Sequence, residues 1–142
     1  PLPEGRAIAA AVTDALDAEQ KAADRLGRVL AVVTAAAVRD ILANNDHSAP
    51  FDAAHLELVE SADSSLYATG RYWTTSGEER LFSSTPGVED AAMGVYDMNE
   101  WAPYLNDRTR DVWHPLCTEL DDRHGRPAYR LDLIKAAALP LD

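Results

Sequence analysis

Cysteine occurs once, at Cys117, in a chain of 142 residues. An internal disulfide is therefore excluded, and a reducing compartment is the expected home. Lysine is nearly as scarce: Lys21 and Lys135 are the only two among 13 basic residues, set against 24 acids. Phosphate backbones are held chiefly by Lys and Arg, so a net charge of −11 disfavours direct nucleic-acid binding. Long apolar runs are missing too. The most apolar stretch, residues 29–38, is closed by Arg28 on one side and by Arg39 and Asp40 on the other. That is well short of the roughly 18–20 residues of a bilayer span, and no membrane association is expected. The opening residues lack the basic, apolar and cleavage-site order of a secretory signal. The expected location is the cytoplasm.

Glycine-rich chemistry is absent as well. The seven glycines are scattered, and none completes a G-x-G-x-x-G, a G-x-x-x-x-G-K or a G-x-S-x-G pattern. No cofactor is expected. What remains is a composition of 46% hydrophobic and 26% charged residues, ordinary for a globular protein. Residues 1–142 are expected to form one α+β domain.

The negative charge is uneven. Residues 46–100 hold eleven acids against Arg71 and Arg80, a net −9, while the segments on either side are nearly balanced. Such a segment suits a solvated surface or a basic partner.

Ile8, Val12 and Leu16 recur every four residues, and Leu26, Leu30, Val33, Ala37 and Ile41 follow at spacings of three or four. This is one apolar face of helix, filled out with alanine. A single rod of about 40 residues would run about 60 Å, too long for a compact domain of this size. With Glu19 interrupting the stripe and Gly27 weakening the middle, two helical segments are expected. The first, with no obvious place in the domain, is expected to pair with a second copy through Ile8, Val12 and Leu16.

After Pro50 the period changes. His55 to Glu60 largely alternates as a strand does, Asp63-Ser64-Ser65 supplies a turn, and Leu66 to Thr75 is rich in residues that suit a pleated surface. Ser76-Gly77 makes a second turn, and Arg80 to Phe82 returns as a short strand. Asp97 and Glu100 have capping-box spacing ahead of Trp101, Tyr104 and Leu105. Asp111 is read as the cap of another short helix carrying Val112, Trp113, Leu116 and Leu120, ended by His124-Gly125-Arg126-Pro127. Tyr129, Leu131 and Leu133 then alternate as a final strand, or else Asp132 caps a last helical turn. The expected architecture has two layers. An antiparallel meander of three to four strands packs against long N-terminal helices and two short C-terminal ones.

Candidate chemistry is thin. His114 and Cys117 stand three apart on the expected helix, but one thiol offers neither a zinc set nor an evident base. Asp46-His47, His55 with Glu57, and Asp121-Asp122 with His124 are carboxylate–imidazole neighbours read as structural. No residue is assigned as catalytic and none as a metal ligand. Aromatic residues are more informative. On the Leu66–Thr75 strand, Tyr67, Thr69, Arg71 and Trp73 share one face, so Tyr67, Arg71 and Trp73, with Glu78 and Glu79 nearby, form the candidate partner-binding patch. The preferred reading is a small acidic interaction protein of inhibitor, immunity or regulatory type, with a protein partner for which a basic surface would be compatible. Two alternatives stand beside it. One is a small enzyme or ligand-binding domain with a pocket between sheet and helices, and the other is a nucleic-acid-charge mimic that blocks a DNA-binding protein.

Overall fold

The computed structural model describes residues 1–142 as an α+β fold with one five-stranded antiparallel sheet. Helix α1 (Gly5–Leu42) is followed by strands β1 (His55–Glu60), β2 (Leu66–Trp73) and β3 (Glu79–Leu81). Helices α2 (Ala91–Met98) and α3 (Arg110–Trp113) precede β4 (Cys117–Arg123), β5 (Arg126–Asp132) and the closing helix α4 (Leu133–Ala137). The strand order is β3-β2-β1-β5-β4, so the first strand in sequence lies at the centre. No helix is long and apolar enough to cross a membrane.

The expected break in the N-terminal helix does not occur. α1 is one unbroken helix of 38 residues, about 57 Å long at 1.5 Å per residue. Glu19 does not interrupt it, because glutamate is a good helix former and its carboxylate accepts a hydrogen bond from Arg108 at 2.8 Å. Gly27 is not a weak point but a contact. A Cβ there would lie 3.0 Å from Cβ of Thr109 and 3.2 Å from that of Val112, so the missing side chain lets α3 and the turn before it pack close. The excess length is resolved by projection: residues 1–22 are all exposed, and burial begins at Ala23. Leu26, expected in the core, stays 42% exposed, whereas Leu30, Val38 and Ile41 are buried.

The core lies between the second half of α1 and one face of the sheet. Leu56 of β1 sits opposite Tyr72 of β2 and Leu131 of β5, and Leu58 opposite Ala68 and Tyr129. All of these side chains are buried with Leu30, Val38 and Ile41 in a single apolar cluster. Tyr72 stacks on Phe82 with ring centroids 4.8 Å apart. Trp113 is fully buried, edge-on to Tyr129 at 5.2 Å, and its indole N–H donates to the Asn106 carbonyl at 2.9 Å. Helices α2, α3 and α4 all pack against α1. They therefore share its side of the sheet and leave the other face without a helix.

The expected three to four strands are five because the helix foreseen over residues 111–123 ends early. α3 spans four residues, Pro115 lies in a following 3-10 turn, and the chain is extended from Cys117. Asp111 lies inside α3, whose N-cap position, Thr109, makes no side-chain capping bond; Asn106 caps the 3-10 turn Asp107–Thr109 just before it, in a reciprocal box with Thr109. His124 (φ 53°) and Gly125 (φ 76°) do not end a helix but form the tight turn of the β4–β5 hairpin, with both central residues left-handed as such turns demand. Asp97 likewise lies in the last turn of α2, and Trp101 to Leu105 follow as a 3-10 turn instead of a capped helix. Both readings of the C-terminal segment hold in sequence: β5 runs to Asp132, whose carboxylate then accepts from the backbone N–H of Ile134 and of Lys135 to start α4.

Candidate functional site

The helix-free face of the sheet carries the side chains that alternate away from the core. They include His55, Glu57 and Val59 from β1, Tyr67, Thr69, Arg71 and Trp73 from β2, Glu79 and Leu81 from β3, Thr118 and Leu120 from β4, and Arg126, Ala128, Arg130 and Asp132 from β5, with Arg123 of β4 joining by its pairing with Arg126. No layer shields them, yet the middle of this face is dry. Glu57 is 1% exposed, Val59 0% and Ala128 2%. Long side chains laid across the strands exclude the water.

Glu57 is the hub. Its Oε1 accepts from the Thr69 hydroxyl at 2.7 Å, and its Oε2 accepts from Nη2 of Arg123 at 2.6 Å. Arg71 flanks the same oxygen with Nε at 3.7 Å and donates through Nη1 to Glu79 at 2.7 Å. A buried carboxylate is tolerated only when so paired. In return, the hydrogen bond and the charge of Glu57 hold the Arg123 guanidinium above its ordinary range. Arg130 lies with its guanidinium carbon 5.4 Å from the centre of the Trp73 ring, within cation–π range. Burial, with Arg130 nearby as the lesser cause, pushes the His55 imidazole below its usual pKa, so it rests neutral.

The five residues of the expected patch are divided by this arrangement. Tyr67, 38% exposed, and Arg71 reach the open face, but Trp73 is 8% exposed and serves as a wall under Arg130. Its neighbours across the sheet, out of view in sequence, are what cover it. Glu79 belongs to the Arg71 network, and Glu78 pairs with Arg80 at 3.1 Å beside it. The sequence reading overlooked Arg123 and Arg130 as parts of this face. Arg130 was within reach, since it alternates with Tyr129 and Leu131 of the expected final strand; Arg123 was hidden by reading residues 117–123 as helix.

The other candidate pairs do not converge. His114 faces Glu119 at 3.4 Å, not Cys117. Cys117 opens β4 against the core, and burial pushes its thiol up to about 12, far from a nucleophilic thiolate. His47 pairs with Asp40 at 3.0 Å. No three His, Cys, Asp or Glu side chains stand together as a metal set. Of the acids in residues 46–100, Glu57, Glu60, Glu78 and Glu79 are paired with arginines. Asp46, Asp52 and Asp63 accept hydrogen bonds at turns.

A groove of about 510 Å³ runs between α1 and α2, floored by Val33, Ala37 and Met98 and rimmed by Asp40, Asp90 and Asp97. Gly94 and Ile41 also line it, and the missing side chain lets α2 approach there, where a Cβ would meet Cγ1 of Ile41 at 2.6 Å. No protein-family model, curated protein or solved structure matches the chain.

Proposed function

We propose that this chain is a small acidic interaction protein of the cytoplasm, an inhibitor, immunity-type or regulatory binding partner, and that the helix-free sheet face is where its protein partner docks. The observation that carries this reading is the construction of that face: an unlayered surface with a water-excluding middle, with Tyr67 and the Arg71 and Arg123 guanidiniums at its surface. Tyrosine and arginine are the side chains most often responsible for binding energy. Glu57 locks the arginines in place before a partner arrives, which lowers the entropic cost of association.

The charge-mimic alternative has less to draw on than the count of acids suggests: a phosphate mimic needs its carboxylates free and regularly spaced, and of the eleven in residues 46–100 only Glu89, Asp90, Asp97 and Glu100 are free of ion pairs and side-chain hydrogen bonds. The enzyme or ligand-binding alternative has the α1–α2 groove to draw on, which lies between two helices and not between sheet and helices. Affinity capture from the native organism, read by mass spectrometry, separates the readings. The proposal expects a stoichiometric protein whose capture is lost with Tyr67→Ala or Arg71→Ala. A captured protein indifferent to both substitutions removes the sheet face as the site. A co-purifying small molecule with no protein partner favours the groove.

A further inference from the structure

The projecting half of α1 is the largest piece of the molecule without a packing partner. Residues 5–22 continue the helix nucleated in the packed half of α1 yet are exposed throughout. They are not uniformly polar. Ile8, Val12 and Leu16 are 44%, 53% and 60% exposed and form one row, with Ala11 and Ala15 in the adjacent row. Arg6, Asp14, Asp17 and Lys21 lie on the opposite side, while Glu19, seven residues from Val12, falls on the apolar side and is held by Arg108 of its own chain. The arm therefore has a face made to be covered, and we infer that a second copy of this chain covers it, arm against arm in antiparallel sense about a two-fold axis through Val12.

Three features select a second copy. First, the row is self-matching: a two-fold axis at Val12 brings Ile8 of each copy opposite Leu16 of the other, with Val12 beside its equivalent, as an isologous interface requires. Ridges at spacing four on one helix fit the grooves of the spacing-three rows on the other with the two helices about 20° from antiparallel, and the small side chains of Ala11 and Ala15 open those grooves. Second, the charge permits it. The arm holds two bases and three acids in an otherwise strongly acidic chain, so pairing joins its least repulsive segments. Third, the direction follows from the helix phase. Val12 and Leu30 are eighteen residues apart, about five whole turns, as are Leu16 and Thr34. The apolar row thus lies on the side of α1 that packs onto its own sheet. In a parallel pair the two globular parts would occupy the same space. In an antiparallel pair each lies beyond the far end of the partner's arm, and Leu2, 90% exposed, comes beside the partner's globular part. That adds area toward the roughly 1,000 Å² that a specific interface needs.

Sedimentation equilibrium of the full chain tests this. A particle of twice the 15.5 kDa chain mass is expected. Val12→Asp, which sets two carboxylates face to face at the axis, should weaken association about a hundredfold or more. The same substitution should leave the denaturation midpoint of the monomer unchanged, because Val12 touches nothing in its own copy. Lys21→Ala on the opposite side should leave the dimer intact. With Cys117→Ala as background, Val12→Cys should cross-link to itself on oxidation. A mixture of Ile8→Cys and Leu16→Cys chains should cross-link to each other, while Ile8→Cys alone should not. A strict monomer at high concentration would leave the arm for a helix of another protein and overturn the inference. So would a dimer that survives Val12→Asp, or Ile8→Cys chains that join to themselves.

Discussion

The arrangement around Glu57 makes an asymmetric prediction about stability. Its carboxylate is 1% exposed, whereas the side chains of Arg123 and Arg71 are 39% and 28% exposed. Arg123→Ala removes the 2.6 Å partner and leaves a buried charge, with only Arg71 at 3.7 Å in reserve. Stranding a buried ion typically costs about 3–5 kcal/mol, and the nearness of Arg71 places this case at the lower end, about 3 kcal/mol. Glu57→Leu removes the charge itself and fills most of its volume. The arginines, already about a third exposed, then turn outward, and the expected cost is below about 1.5 kcal/mol. Once Glu57 is leucine, Arg123→Ala should cost only about 0.5 kcal/mol, for a coupling of about 2 kcal/mol or more. Urea unfolding followed by circular dichroism measures all four corners of this cycle, provided the slope against denaturant is unchanged. If Glu57→Leu costs more than Arg123→Ala, the carboxylate is not held as a buried ion and the account of this face fails.

Gly94→Ala should destabilise by about 1–3 kcal/mol, although glycine to alanine in an open helix would stabilise by about 1 kcal/mol; a gain in the unfolding midpoint would show that Ile41 yields freely. Cys117 should react slowly with a thiol reagent at pH 8 in the folded protein and quickly once unfolded, since burial pushes its thiol up to about 12, and immediate labelling of the native state would contradict this. Acid should destabilise in two stages. His55 is depressed in the fold, so its contribution is present above the unfolded value of about 6.5 and lost as pH falls through the lower folded one. Asp46, Asp52 and Asp63 are held down mainly by hydrogen bonds from Ser48, Thr75 and Ser61, so their contribution is lost as pH falls below about 4. His55→Gln should flatten the first stage in a series of urea midpoints against pH; an unchanged slope there would exclude the imidazole as its source.

Much of the architecture was legible in local pattern. The period of the apolar residues announced α1 and its buried face at Leu30 and Ile41, and the alternation in residues 55–60 and 66–73 announced β1 and β2. It even separated the two faces of β2 correctly, with Leu66, Ala68 and Tyr72 inward. These features depend on neighbours a few residues away, so spacing alone reports them. The strand β4 was not legible, because Val112, Trp113, Leu116 and Leu120 have helical spacing by coincidence. Only pairing with β5, through a His124–Gly125 turn, decides that Leu120 is in a strand.

The same division holds for the candidate site. Sequence by itself determined that Tyr67, Arg71 and Trp73 share a face, that no internal disulfide can form and that the charge is strongly negative. Only the tertiary structure decided that Trp73 lies beneath Arg130, that Glu57 is a buried ion held by a residue 66 positions away, and that the first half of α1 stands clear of the rest. Burial and ion pairing are properties of what arrives from distant parts of the chain. Glutamate in a strand reads the same whether water or an arginine meets it, and an apolar row on a helix reads the same whether its cover is its own sheet or another molecule.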